Sequence, residues 1–353
     1  MTAKQLKKKL LERKSPIPLP DWGLSTGSTL LNLAFTGNPN YGFSPGCYYL
    51  LVGKSSSGKT FLALTALAEA SINPKFDKHR LIYDAPERGA RMDLTKFFGQ
   101  KMADSLEYRF SNTVEEFYYE LDDAVKDGRP FIYVEDSESS LSSEDEQDKF
   151  QENKKAFRKG KQATGSYGDG KAKKHSSNLR QIVTSKQFEE SGSILLLVSQ
   201  SRDNIGFGAQ FNPETRAGGR ALTFYATAEI WFSVKEAIKK TVHGKPRKIG
   251  AVCQVKVKKN RGTGQEPTVN LHHYWSYGFD DLGSCVDWLV AEDHWGLQGG
   301  KADAKEFNIV GNREEVVKII EEGGKQDALK MIVADVWQEL QWECELKRKK
   351  KYE

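Results

Sequence analysis

Cysteine is scarce and scattered: Cys47, Cys253, Cys285 and Cys344 stand far apart, with no C-x-x-C pair among them. That spacing excludes a disulfide framework and a cysteine zinc site, and fits incidental thiols of a reducing compartment. No apolar run is long enough to span a bilayer. The opening stretch, Met1 to Leu11, is basic but lacks the apolar centre of a signal peptide. A cytoplasmic protein with no membrane partner is therefore expected. Internal repeats are also absent. Charge is not lopsided: the net +5 permits nucleic-acid binding without demanding it. The clustering is more informative. An acidic run, Glu144 to Asp148, precedes basic runs at 154–161 and 171–175, and the chain ends in Lys347 to Lys351. Such runs are commonly solvated faces or disordered arms.

At 353 residues the chain is long enough for one large domain and a small one. Residues 1–14 read as a short basic helix, followed by the stiff, Pro-rich link Ser15 to Pro20. Apolar, strand-like segments recur at 48–52, 80–84, 130–135, 194–199, 227–233 and 251–258, with helical patterns between several of them. This alternation predicts an α/β fold with a mostly parallel sheet covered on both faces. The last two strands read as a hairpin around a Lys-Pro-rich turn near 243–248. Residues 139–178, rich in Ser, Gly and charge, read as an exposed insertion or mobile loop. Residues 291–353, punctuated by Gly299-Gly300 and Gly323-Gly324, read as a small C-terminal α/β module. The expected boundaries are 1–21, 22–290 and 291–353.

Residues Gly53, Lys54, Ser55, Ser56, Ser57, Gly58, Lys59 and Thr60 form a complete G-x-x-x-x-G-K-[ST] loop. It lies between a strand-like run, Tyr48 to Val52, and a helix-like run, Phe61 to Ala68. That is the context the motif needs to cradle phosphate. The glycines let backbone N–H groups turn inward, and the helix N-terminus adds partial positive charge. ATP is the expected ligand, with Lys59 on the β- and γ-phosphates and Thr60 on Mg²⁺.

Other strand ends carry acids and amides. The run 131–136 ends in Glu135-Asp136, where a carboxylate can hold Mg²⁺. Asp136 is the first choice, Glu135 the second. The run 80–87 ends in Asp84-Ala85-Pro86-Glu87. Glu87 is placed as the acid that polarises the attacking water, and Asp84 as structural. Gln200 ends a buried strand, where its amide can sense the γ-phosphate. Arg202 and a flexible segment to Gly219 follow, with Phe207 and Phe211 inside it and Arg216 and Arg220 at its far end. Such a segment suits single-stranded nucleic acid, or is an ordinary mobile loop. Lys259 and Arg261 end a strand that alternates apolar and basic. They are either a solvated face or cations reaching a neighbour's phosphates, as an arginine finger does.

In this order the segments resemble the RecA-type DNA recombinases. The likeness covers about residues 22–290. It begins at Leu24 to Asn32 and runs through the phosphate loop, Asp136-Ser137 and Gln200-Ser201-Arg202. It is most specific at Phe211 to Ala226, which resembles the family's second DNA-binding loop, and includes Lys259-Asn260-Arg261. The resemblance implies a RecA-like P-loop ATPase core, DNA-dependent ATP hydrolysis and a helical homo-oligomeric filament on single-stranded DNA. Double-stranded DNA would be engaged during pairing. It implies DNA contacts at Lys173, Ser176 and Arg180, and in the second loop at Arg202, Asn204, Ile205, Phe207, Arg216, Gly218, Gly219 and Arg220. Gln200 becomes the switch between ATP and DNA, and Lys259 and Arg261 act in trans. The N-terminal helix would pack on a neighbouring protomer. Lys54 in place of the usual Pro, Pro86 before the catalytic acid and the charged insert 139–165 mark a divergent member of cellular or viral origin. The rival readings are a RecA-fold ring helicase or motor and an ATP-regulated single-strand-binding or annealing protein.

Overall fold

The computed structural model describes residues 21–87, 92–160, 169–204, 214–216, 219–349 and 351–352. The expected N-terminal helix, the Pro-rich link and the loop positions Ile205, Phe207, Phe211 and Gly218 lie outside them. The central sheet contains β1 (Cys47–Gly53), β2 (Arg80–Asp84), β3 (Leu106–Arg109), β4 (Phe131–Asp136), β5 (Ile194–Asp203), β6 (Glu214–Arg216), β7 (Ala228–Val242), β8 (Lys245–Asn260), β9 (Thr268–Tyr274) and β10 (Gly278–Asp280). Across the sheet the order is β10-β9-β8-β7-β1-β5-β4-β2-β3, with β6 paired to the end of β5. From β7 to β3 every pairing is parallel, and β8, β9 and β10 add antiparallel edge strands. The expected α/β architecture with a mostly parallel sheet is thus what the structure shows.

The inner parallel strands β1, β4 and β5 are apolar over most of their length because helices cover both faces. On β1, Tyr49 and Leu51 enter one core while Tyr48, Leu50 and Val52 enter the other. This is the strand's two-residue period read directly from burial. The first core lies under helices Thr29–Thr36, Lys59–Ile72 and Asp281–Ala291. The second lies under helices Val114–Lys126, Asp169–Val183, Lys186–Ser191 and Gly219–Tyr225. The first core runs on into the C-terminal segment, where Trp288 packs on Trp337 with ring centroids 5.8 Å apart. That segment holds an antiparallel sheet of β11 (Leu297–Gln298), β12 (Lys301–Ala304) and β13 (Ile309–Gly311), and helices Arg313–Glu322 and Gln326–Cys344.

Residues 139–178 differ from the expected loop. They contain helix Glu144–Arg158 and most of helix Asp169–Val183. The first helix buries no residue and is held by local terms. Ser143 and Glu146 form a reciprocal capping box, with acids in the first turn and Lys155 and Arg158 in the last. The second buries His175, Leu179 and Ile182. The expected hairpin is present, and its turn is His243-Gly244, both at positive φ (51° and 72°). This is the geometry a two-residue turn between twisted strands requires.

Candidate nucleotide site and its connections

The phosphate loop leaves β1 at Gly53 and enters helix Lys59–Ile72 through Gly58, whose φ of 98° is open only to glycine at low strain. A Cβ on Gly53 would lie 2.4 Å from the Phe232 carbonyl oxygen, so the loop's first position is also closed to larger residues. Lys59 is buried, and its Nζ donates to the Gly53 and Lys54 carbonyls at 2.7 Å each. Burial lowers its pKa to about 8, against the opposing pull of Asp136 and Glu87. Ser57 is buried, while Lys54, Ser55 and Ser56 face solvent. The Lys54 ammonium pairs with Asp203 at 2.9 Å and Glu214 at 3.4 Å. The loop is thereby tied to the ends of β5 and β6.

The acids divide by strand parity. Asp136 lies beside Thr60 and accepts from the Tyr83 hydroxyl at 3.1 Å. Burial raises its pKa, and Thr60 and Tyr83 oppose the rise. Glu135, one residue earlier, is buried beside Asp84, and burial pushes its carboxyl well above the ordinary range. Glu135 points to the face of β4 opposite Asp136, away from a cation held at Thr60. Asp84 is occupied by the Ser111 N–H (2.9 Å), the Ser111 hydroxyl (2.5 Å) and the Tyr133 hydroxyl (2.9 Å). Glu87 Oε1 collects the Ser137 hydroxyl (2.6 Å), the Ser140 hydroxyl and the Gln200 amide (2.9 Å). Gly53 and Gln200 are register partners on β1 and β5, so the loop and Gln200 lie side by side.

The described DNA-contact candidates fall on two packed helices and at the ends of β5 and β6. Lys173, Ser176 and Arg180 are all exposed on helix Asp169–Val183, at a spacing that shares one face. Gly219 opens the neighbouring helix so closely that a Cβ there would lie 3.1 Å from Ala172. Arg202 and Arg220 are exposed, and Asn204 is half-buried at the end of β5. Arg216 is turned inward instead. Its guanidinium bonds to the Gly219 carbonyl at 2.8 Å and to Thr223, and lies 3.8 Å from Glu229.

Lys259 and Arg261 sit away from their own phosphate loop. Glu229 is the partner of Lys259 on one side and of Leu50 on the other. Leu50 lies three residues before Gly53, about 10 Å back along the strand. Both cations cap helix Gly219–Tyr225: Lys259 Nζ bonds to the Thr223 (2.5 Å) and Phe224 (2.9 Å) carbonyls, and Arg261 to the Phe224 carbonyl. Burial, aided by Arg261, lowers the Lys259 pKa to about 8.

Two features escaped the sequence reading. A cavity of about 480 Å³ adjoins the loop, lined by Phe61, Met92, Val234, Lys248, His273 and Trp275 among others. Trp275 is half exposed, with Lys248 Nζ 5.3 Å from its ring centre. Only the β8–β9 register, Ala251 to His273, brings these residues to the loop. The second is a buried polar chain. The Gln200 N–H donates to Ser139 Oγ at 2.9 Å, and the Ser139 hydroxyl reaches Glu138 at 3.2 Å. Glu138 lies 3.5 Å from His175 Nε2, and the Tyr118 hydroxyl contacts His175 Nδ1 at 3.1 Å. The candidate γ-phosphate sensor is thus linked to helix Asp169–Val183.

Burial lowers the His175 pKa from 6.5 to about 3, with Lys171 and Arg216 adding repulsion. A base whose folded pKa is depressed leaves stability intact above its unfolded value and erodes it as pH falls from 6.5 toward 3. Unfolding free energy should therefore drop below pH 6.5 by up to about 1.4 kcal/mol per pH unit from this group. His175→Gln should flatten that slope in denaturant titrations at pH 7, 6 and 5. An unchanged slope would remove His175 as its source.

The RecA N-terminal domain family matches residues 155–280. Over 307 residues the chain is 27% identical to RecA of Lactobacillus acidophilus (84% of this chain, 74% of that protein) and 29% identical to RecA of Caldanaerobacter subterraneus (85% and 80%). It is 29% identical over 198 residues to a plasmid RecA of Lactococcus lactis, covering 56% of this chain and about half (51%) of that relative. The family match begins beyond the phosphate loop and takes in β5, helix Gly219–Tyr225 and the β7–β8 hairpin. The matches to RecA of L. acidophilus and C. subterraneus extend over most of the chain, and the sheet and loop geometry agree with them. The family match and these relatives together support a divergent RecA-type recombinase.

Proposed function

We propose that this protein is an ATP-dependent DNA recombinase that forms helical filaments on single-stranded DNA and promotes homologous pairing and strand exchange with duplex DNA. The contact between Gln200 and Glu87 carries this reading. One amide touches the candidate catalytic acid. Its own strand continues to Asp203, and its backbone leads through Ser139 and Glu138 toward the helix bearing Lys173, Ser176 and Arg180. A side chain so placed reports the state of the nucleotide to both DNA-facing elements.

ATP suits the loop. Residues 53–60 supply inward N–H groups, and Lys59, now held by two loop carbonyls, is positioned to exchange them for phosphate oxygens. Thr60 and Asp136 lie together and suit Mg²⁺, an ion that neutralises charge building on the transferring phosphoryl group. Glu87 orients and deprotonates water. The Trp275 face offers a wall for a purine base. Lys259 and Arg261 approach the nucleotide of the next protomer, and residues 1–21 join protomers ahead of a core at 22–290 and a C-terminal domain at 291–353.

ATP hydrolysis measured with and without single-stranded DNA, on samples imaged by negative-stain electron microscopy, tests the reading. The expected result is stimulation of about tenfold or more, with open helical filaments. Closed rings would favour a motor, and turnover indifferent to DNA would favour an ATP-regulated annealing protein.

A further inference from the structure

The β7–β8 hairpin projects well beyond the sheet. β7 pairs with β1 only over Ala228 to Phe232, and β8 pairs with β9 only over Gly250 to Lys256. Beyond those levels the two strands continue as a ribbon whose outer edges pair with no other strand among the described residues, about 15 Å past the last three-strand level. Residues 235–248 hold six cations, Lys235, Lys239, Lys240, Lys245, Arg247 and Lys248, against one carboxylate, Glu236. Their net charge of +5 equals that of the whole chain, so the rest of the molecule is balanced. All six are exposed, and none makes an ion pair among the described residues.

The register makes the arrangement costly. Lys239 faces Lys248 and Lys240 faces Arg247 across the ribbon. Like charges directly opposite destabilise a strand pair. Lysines on a free edge also discourage pairing with other chains, but that purpose does not require cations facing one another on both strands. We propose that this ribbon is a binding surface for duplex DNA, lying against its phosphates with the two strands in the major groove.

Three observations favour that partner. A two-stranded ribbon has the width the major groove admits. Successive residues put cations on both faces, which suits a polyanion on either side. The ribbon carries no aromatic residue, so it lacks the stacking platform that single strands use and the anchors that protein interfaces use. The choice of DNA as partner rests on the recombinase reading, whereas the surface itself does not.

The test uses the full chain with K239Q/K240Q/K245Q/R247Q, leaving Lys248 beside the nucleotide cavity intact. A short fluorescent duplex and a single strand of equal length are titrated at several salt concentrations. The expected result for duplex is an affinity loss of tenfold or more and a salt slope shallower by about three to four, since each phosphate contact contributes about 0.9. Single-strand-stimulated ATP hydrolysis should be unchanged. K240Q/R247Q should show about half the change in slope. It should also have a raised Tm, because it removes one opposed pair. Duplex binding and slope unchanged in both variants would overturn the proposal. So would equal losses on duplex and single strand, or a loss of self-association with duplex binding intact. Ribbon-dependent duplex binding by a protein whose hydrolysis ignores single strands would sink the recombinase reading and leave the ribbon standing.

Discussion

Glu87→Gln should lower DNA-stimulated ATP turnover by about 10²- to 10⁴-fold while leaving ATP affinity close to that of the wild type. Glu87 Oε1 accepts from Ser137, Ser140 and the Gln200 amide. A glutamine carbonyl oxygen in that place keeps all three bonds, so the fold around the site should survive the change. What disappears is the anionic oxygen that favours the charge of Lys59 and that, in the proposed reaction, would take a proton from water. With hydrolysis stopped and the Gln200 contact retained, the protein should stay in its ATP state, and single-stranded DNA should be held as tightly or more so. Single-turnover hydrolysis with nucleotide-binding titrations separates the two effects. Normal turnover would remove Glu87 from the chemistry. Weaker ATP binding with normal turnover per bound nucleotide would make it a binding group only.

Much of the site was legible because it is local. The phosphate loop is a contiguous word whose flanks dictate strand and helix. The order of acids along β4 follows from the two-residue period, which turns Asp136 toward Thr60 and Glu135 toward Asp84. Legibility stopped where long-range register decides. Nothing local to Glu87 announces Ser137 and Ser140, fifty positions on, or Gln200 beyond them. β9 was missed because His272 and His273 interrupt the alternation set by Val269 and Leu271, and its partner is chosen by β8. Helix Glu144–Arg158 was missed for the opposite reason: it has no apolar stripe to read and depends on its caps and end charges. His175 looked like part of a solvated basic run. It is buried because its position shares a face with Leu179 and Ile182, whereas Lys173 on the other face is exposed.

Arg261→Ala should reduce DNA-stimulated hydrolysis by about 10³- to 10⁵-fold, the range seen when a cation that completes a phosphoryl-transfer site is removed. ATP binding by the isolated protomer should be untouched. The reason is positional. Within one chain Arg261 bonds to the Phe224 carbonyl and lies 5.8 Å from the Phe224 ring, at a helix end remote from Gly53. It has no route to its own loop, so any role in hydrolysis must be played on another copy. Phe224 itself is 63% exposed beside it, a large apolar ring that a neighbouring protomer would cover. A head-to-tail assembly joins the loop of one copy to the cations of the next. Two inactive variants then complement each other. A subunit with Arg261→Ala retains Glu87, and a subunit with Glu87→Gln retains Arg261. Random co-assembly of equal amounts should restore about a quarter of the sites, because one ordered neighbour pair in four is competent. Turnover of the mixture near that fraction of the wild type, absent from either variant alone, would place Arg261 in trans. A mixture as inactive as its parts, in filaments shown to contain both, would return Arg261 to its role as a helix cap.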